Sequence, residues 1–437
     1  MAATEEFLSF REEIVVESIE ITEVNGIEGT NSIGEGPSFN SNWYAPGTDL
    51  SDNEPDSVLA TKTAAYKVIA QLGNGDFIAE IEETIQFVDG PDAGDKIFTK
   101  GFLEPGLAPS GGTTTLQIIG GTGSFKDIRG VENITGIGPS MPGVLDVSLL
   151  SFKEIKGTRG SDVINGKNTS EFITGNNGND TINGGQGNDI IEGGRGGDII
   201  RGGAGDDILA ADQVDRFDDF DGSNSELRGN KGNDIIYGGS KDDFISGGKD
   251  NDLLFGKSGD DLIRGGNGFD LLNGGVGNDT LRGQGGIDVA DYSDLTFNGV
   301  FGSVAGLDVN LNTNKAKHSS NNNALTWTDT LTTIENVIGT SRNDRFIGDK
   351  NDNVFYGLGE VGRDDRQTEF QGLDGETYKV IGDVVEYSGN FSEFTFGQSS
   401  LPFFGLTVTG TGVGTDILID IEFLKFDDGL VATSGVL

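Results

Sequence analysis

Residues 184–210 read GGQGNDIIE, GGRGGDIIR and GGAGDDILA, one nine-residue phrase repeated three times. In looser form the phrase runs from Gly157 to Ala290 and fixes a carboxylate at every ninth position. These are Asp162, Glu171, Asp180, Asp189, Asp198 and Asp207, then, after a gap, Asp234, Asp243, Asp252, Asp261, Asp270, Asp279 and Asp288. Two residues after each acid stands an apolar side chain, Ile or Leu from Ile164 to Leu281 and Ala290 in the last copy. Six Gly-rich residues make a tight turn, because glycine reaches backbone angles that a Cβ forbids. The next three form a short strand whose central side chain points inward. Two such units close one coil, so acids eighteen residues apart stack on one edge: Asp162, Asp180 and Asp198 on one, Glu171, Asp189 and Asp207 on the other. Between stacked turns, carboxylates and exposed carbonyls face a gap suited to a hard, oxygen-seeking cation, calcium better than magnesium or zinc. Same-edge pairs that do not cross the gap allow about nine ions.

The pattern G-G-x-G-x-D-x-U-x resembles that of the RTX (repeats-in-toxin, haemolysin-type) calcium-binding proteins. The resemblance implies a parallel β-roll folded by several calcium ions and secretion by type I export machinery through an uncleaved C-terminal signal. The tail FDDGLVATSGVL, 426–437, is acidic and then small and apolar, compatible with such a signal. The amino-terminal MAATEEFLSFREE has neither a basic region nor an apolar core, so a conventional signal peptide is not expected. No apolar run approaches the length of a membrane span. The expected location is therefore extracellular.

Composition agrees. Seventy-one acids against thirty bases give a formal charge of −41, and 72 of 437 residues are glycine. Without metal such a repeat region repels itself and should be unfolded; cations supply both neutralisation and folding energy. About nine divalent ions offset less than half of the charge, which argues against nucleic acid and anionic membranes as partners. Cysteine is absent, removing disulfides, thiol nucleophiles and thiolate metal sites.

The chain reads as all-β in three parts. Residues 1–150 form an antiparallel β-barrel, 151–295 a calcium β-roll with an insertion around 210–228, and 296–437 a second short repeat set with a β-rich cap. In the first part Ala65 to Val88 carries a hairpin around Gly73-Asn74-Gly75-Asp76, with further strands over 14–21, 116–119 and 144–150. The run LQIIGGTGSFKDIRGVENI from Leu116 resembles the strand motif of allene oxide cyclase and dirigent barrels, through Gly120, Gly121, Thr122, Gly123, Phe125 and Gly130. That resemblance implies an eight-stranded barrel with an apolar cavity for a hydrophobic small molecule.

From Asp207 to Asp234 is twenty-seven residues, three whole periods, so register survives the gap. The frame places acids at 216 and 225, where Arg216 and Ser225 stand, while Asp212, Asp215, Asp218, Asp219 and Asp221 fall outside it. A helix-loop-helix calcium site fails there, since with Gly222 as its invariant glycine the last ligand would be Arg228. Beyond the array, Asp291-Tyr292-Ser293 is echoed by Glu386-Tyr387-Ser388, and Thr328-Asp329-Thr330-Leu331 by Thr415-Asp416-Ile417-Leu418. The Phe-rich stretch 391–409 is expected to cover the open end of the roll.

Catalytic signatures are few. One histidine, His318, excludes zinc-protease H-E-x-x-H chemistry, and its polar surroundings read as a solvated loop. No serine has Gly on both sides at two residues, so a serine-hydrolase elbow is excluded. Gly256-Lys257-Ser258 is a repeat turn and not a phosphate loop, because Asn251 stands where its first glycine should be. If anything catalyses, Glu83 is the candidate: it interrupts the apolar face of Phe77, Ala79, Ile81, Ile85 and Phe87, and a buried carboxyl has a raised pKa suited to acid–base work. The alternative is that a bulge turns Glu83 to solvent. Two functions follow: a secreted calcium-binding protein whose barrel takes an apolar molecule or partner, or a cyclase/isomerase acting on a hydrophobic substrate there.

Overall fold

The computed structural model describes the barrel strands between Phe7 and Ser151, with Thr122, and residues 153–433 except 212–222, 294–303, 321–325, 341, 358–367, 372–376, 381, 399–404 and 411. The turn at 73–76, the out-of-frame acids from Asp212 to Asp221, Gly123, Phe125 and the last four residues of the tail lie outside the described residues. Two compact units are present, one within residues 1–153 and one beginning at Glu154.

Among the described residues the first unit has nine strands: β1 (Phe7–Val15), β2 (Gly34–Glu35), β3 (Phe39–Tyr44), β4 (Ala60–Gln71), β5 (Phe77–Phe87), β6 (Lys96–Leu103), β7 (Gly112–Gly121), β8 (Gly130–Ile137) and β9 (Val144–Ser151). Their order is β2-β4-β3-β1-β9-β8-β7-β6-β5, every pairing is antiparallel, and β5 returns to pair with β4. Eight strands therefore close on themselves, the arrangement that leaves no sheet edge unpaired. The hairpin expected around 73–76 is the β4–β5 pair. Ile85 faces Ile97 and Glu83 faces Thr99 across β5 and β6, and Ile85, Ile97 and Thr99 are buried. Successive residues of a strand alternate sides, so position 83 shares the face of Ile85 and Thr99.

The second unit is a flattened coil of two parallel sheets. One stacks Phe172-Ile173-Thr174 on Ile190-Ile191-Glu192, then on 208–210, 235–237, 253–255, 271–273 and 289–291. The other stacks 163–165, 181–183, 199–201, 226–228, 244–246, 262–264 and 280–282. Strands are three to seven residues long, the longer ones running on into the glycine turn, as Thr181–Gln186 and Ile199–Ala204 do. The residue two places after each acid points inward without exception: Ile173, Ile182, Ile191, Ile200, Leu209, Ile236, Ile245, Leu254, Ile263, Leu272, Leu281 and Ala290 are 0 % exposed, and Ile164, in the first coil, is 9 % exposed. Burying one such side chain contributes about 1.5–3 kcal/mol, and stacking extends a single core from Ile164 to Phe426.

The gap behaves differently from the simple frame. Ser225 takes the ladder position over Asp198, and Leu227 the inward position beside it. Asp234 therefore sits directly over Asp207, whose N–H donates to its Oδ1 at 2.8 Å. The added residues all lie in sequence between the strands 208–210 and 226–231, so same-edge pairs do cross the gap, contrary to the count made from sequence.

Past Asp291 the coil continues with fewer glycines, Gly339, Gly348 and Gly357 still heading turns. Strands 336–338, 354–356 and 415–419 extend one sheet, and 326–332, 315–320, 304–310, 345–347, 384–386 and 423–426 the other, with 315–320 antiparallel to both its neighbours. Antiparallel strands 394–398 and 406–410 close the first sheet, and 429–432 pairs with 423–426 at the end of the second. Phe391, Phe394 and Phe396 gather around Phe426, with Tyr387 stacked on it at 5.7 Å.

Candidate cation sites

From Asp180 onward each ladder carboxylate is held by the backbone of the coil before it. The N–H of Asp162 donates to Asp180 Oδ1 at 2.7 Å, Glu171 to Asp189 at 2.8 Å, Asp189 to Asp207 at 2.8 Å, and Asp243 to Asp261 at 2.7 Å. The series runs on through Asp252 to Asp270, Asp261 to Asp279 and Asp270 to Asp288. One oxygen of each acid is thereby fixed.

The second oxygen is the informative one. Oδ2 of Asp180, Asp189, Asp207, Asp234, Asp261, Asp270, Asp279 and Asp288 is buried and accepts no hydrogen bond. Beside it lies another acceptor. A methyl group on Gly184 would stand 2.3 Å from Asp189 Oδ2 and 2.7 Å from the carbonyl oxygen of Gly202; on Gly256 it would stand 2.3 Å from Asp261 Oδ2 and 2.6 Å from the carbonyl oxygen of Gly274. Two buried acceptors converging with no donor between them are costly unless a cation joins them. The glycine is required at that place because any Cβ would fill the space.

Burial raises the carboxyl pKa values accordingly. Asp189 and Asp270 are pushed up to about 7, Asp207, Asp279 and Asp288 to about 8, Asp261 to about 9 and Asp234 to about 10. Loss of hydration is the largest cause in every case, with neighbouring ladder acids adding repulsion at most of them. A cation in the same place would reverse that logic, since a bound divalent charge is the largest local field.

Among the described residues no three His, Cys, Asp or Glu side chains cluster as a metal centre. The ladder is not built that way: it offers one carboxylate per turn and completes the set from backbone carbonyls. Such an all-oxygen set fits calcium, which accepts roughly six to eight oxygens in flexible geometry. Of the thirteen acids selected from sequence, all occupy ladder positions, and all but Asp162 are buried. Sequence reading missed Ser225, Asp329, Glu335, Asp383, Asp416 and Glu422 as further ladder members. An acid two residues before an apolar side chain marks the last five (Leu331, Val337, Val385, Leu418, Leu424) even where the glycines are gone.

His318 is not the solvated loop residue expected. It lies in the strand 315–320, is 1 % exposed, stacks on Trp327 at 5.3 Å and approaches Asp329 Oδ2 at 3.4 Å. Pairing of its strand with 326–332 turns it inward, a register that the flanking Lys, Ser and Asn residues conceal.

The RTX calcium-binding nonapeptide repeat matches this chain over residues 154–182, 166–200, 174–209, 228–263, 255–290 and 332–359. The matched residues take in all thirteen ladder acids selected from sequence. Comparison with curated protein sequences finds no match. Among solved structures, a pyocyanin demethylase is similar over 33 % of this chain and 100 % of its own, at 15 % identity and a TM-score of 0.24. Two pterocarpan synthase dirigent proteins, GePTS1 and PsPTS1, are similar over 35 % and 34 % of this chain and 89 % and 97 % of theirs, at 17 % and 19 % identity, each with a TM-score of 0.26. Among the described residues no helix is long and apolar enough to cross a membrane.

Proposed function

We propose that this is a secreted protein whose calcium-binding roll folds outside the cell, after type I export, and carries a barrel that takes a hydrophobic small molecule or partner. The observation that carries the calcium part is the file of buried Oδ2 atoms facing backbone carbonyls with no donor between them. Ladder carboxylates and turn carbonyls are the ligands, and calcium supplies the positive charge that makes their burial favourable. In the metal-free chain the same groups repel, so the roll is disordered at cytoplasmic calcium levels and forms where calcium is abundant. Circular dichroism in chelator and in millimolar calcium tests this; a spectrum unchanged between the two removes the reading.

A second reading concerns the barrel, and the ring of eight antiparallel strands favours it. Barrels of that size either fill their interior with side chains or hold one small ligand. Glu83 shares a strand face with buried Ile85 and Thr99, where a carboxylate would act as acid or base on a bound molecule, as a cyclase/isomerase requires. An environment-sensitive apolar dye should bind the full chain and be displaced by a hydrophobic ligand. A barrel that takes up no such probe leaves a calcium-binding protein without the cyclase activity.

A further inference from the structure

We infer that the turns of the roll are of two kinds, open and closed, and that only the open ones hold calcium. The inference rests on the calcium reading and narrows its ligand set.

In an open turn the second and fourth of the six turn residues both have positive φ. At Asp189 these are Gly185 (121°) and Gly187 (105°); at Asp207, Gly203 (129°) and Gly205 (132°); at Asp270, Gly266 (138°) and Gly268 (150°). The same shape recurs with Asn176 and Gly178 before Asp180, Asn230 and Gly232 before Asp234, Lys257 and Gly259 before Asp261, Gly275 and Gly277 before Asp279, and Gln284 and Gly286 before Asp288. Every one of these eight turns leaves its aspartate Oδ2 buried without a hydrogen bond.

In a closed turn the second residue does not take a positive φ, and its own N–H turns back onto the ladder side chain. Thr158 donates to Asp162 Oδ2 at 2.6 Å, Lys167 to Glu171 Oε2 at 3.0 Å and Gly239 to Asp243 Oδ2 at 2.6 Å. Past the array, Thr340 does the same to Asp344 at 2.6 Å and Asp349 to Asn353 Oδ1 at 3.0 Å. The oxygen left for a cation in open turns is here already satisfied, and the donor places partial positive charge where the cation would be. Asn353 is the clearest case: an amide with no net charge occupies the ladder position, so a closed turn does not depend on a cation.

The two kinds differ most often at the fourth place. The eight open turns have Gly178, Gly187, Gly205, Gly232, Gly259, Gly268, Gly277 or Gly286 there, whereas two of the closed ones within the array have Thr169 and Lys241. Gly160 in the closed first coil and Asp250, with a positive φ of 74°, show that glycine at this place favours the open shape without dictating it. Gly239 could adopt a positive φ at no cost, yet it does not. With Ser225 below it and a closed turn at Asp243, one edge of the roll is interrupted at mid-length, while the other runs from Asp189 through Asp207, Asp234 and Asp270 to Asp288. Asp162, Glu171 and Asp243 are accordingly structural acids that tie their own turns.

The test is calcium bound per full-length chain, measured by atomic emission after equilibrium dialysis in saturating calcium, with circular dichroism on each variant. Asp261→Asn is expected to lose at least one ion, and Asp243→Asn to keep the wild-type number. Lys241→Gly, which restores the fourth-place glycine without touching an acid, is expected to gain at least one. Equal losses from Asp243→Asn and Asp261→Asn would overturn the inference, as would a Lys241→Gly chain that folds and gains nothing. A wild-type chain that binds no calcium at all would instead overturn the calcium reading beneath it.

Discussion

The hydroxyl of Tyr292 donates to Oδ2 of Asp329 at 3.0 Å, and both residues are buried. Asp329 follows Asp279 on the ladder and takes its N–H on Oδ1. Its second oxygen, bare in the turns below, meets a phenol and the His318 ring, so the cation array stops there on protein groups. The second copy of the motif brings Tyr387 beside Asp416 on the other edge. Removing the hydroxyl leaves a buried carboxylate short of a donor, which costs about 1–3 kcal/mol. Tyr292→Phe should therefore lower the thermal midpoint of the calcium-loaded roll without changing its calcium count; a lower count would show Asp329 to be a ligand.

Glycine at the head of an open turn carries a sharper expectation. Gly184→Ala puts a methyl group into the space shared by Asp189 Oδ2 and the Gly202 carbonyl. Gly160→Ala, with nothing within 4 Å of the new Cβ and no positive φ, changes little. Calcium titration of the two should give a weakened or lost site in the first and wild-type behaviour in the second. A silent Gly184→Ala would mean that the cradle is not where the ion sits.

The acids also set a pH dependence whose sign differs with and without metal. Folded-state pKa values of about 7 to about 10, against an ordinary 3.8, mean that the metal-free coil binds more protons than the unfolded chain. Any stability it has is fully present below pH 3.8 and is lost as pH rises through about 7 and above. Calcium must displace those protons, so its affinity rises over the same range. In chelator, circular dichroism should show more β-structure at pH 5 than at pH 8, and calcium affinity should fall between pH 8 and pH 6. A calcium affinity independent of pH across that interval would contradict the assigned ligands.

Much of this was legible in the sequence because the period does the work of a topology. A carboxylate every nine residues with an apolar residue two later fixes coil, core and ladder at once, and Ile164 to Ala290 all point inward as the spacing requires. What the spacing could not give was edge identity beyond the gap, because nine added residues preserve the period while moving Asp234 onto the Asp207 edge. Nor did the acid period separate Asp243 from Asp261, since both fall on it; the difference lies in the turn, where Lys241 stands in place of Gly259 and the Gly239 N–H turns back onto Asp243. His318 was misread because its burial depends on an antiparallel partner strand, a non-local feature that its neighbours do not announce.

Phe426 gives the last expectation. It is fully buried, with Tyr387, Phe391, Phe394 and Phe396 around it, at the end of a stack whose every coil otherwise buries its aliphatic row against a neighbour. A parallel coil has no partner beyond its final turn, so unpaired backbone and apolar area there invite another chain. Phe426→Ala should cost about 3–5 kcal/mol, the usual loss for deleting a buried ring. Because the ring belongs to the end of the stack and not to the ladder, calcium binding at Asp189 to Asp288 should survive while the end frays. The expected outcome is a lower thermal midpoint in saturating calcium together with concentration-dependent association in analytical ultracentrifugation. A variant that stays monomeric and keeps its midpoint would show that the aromatic cluster is not what terminates the roll.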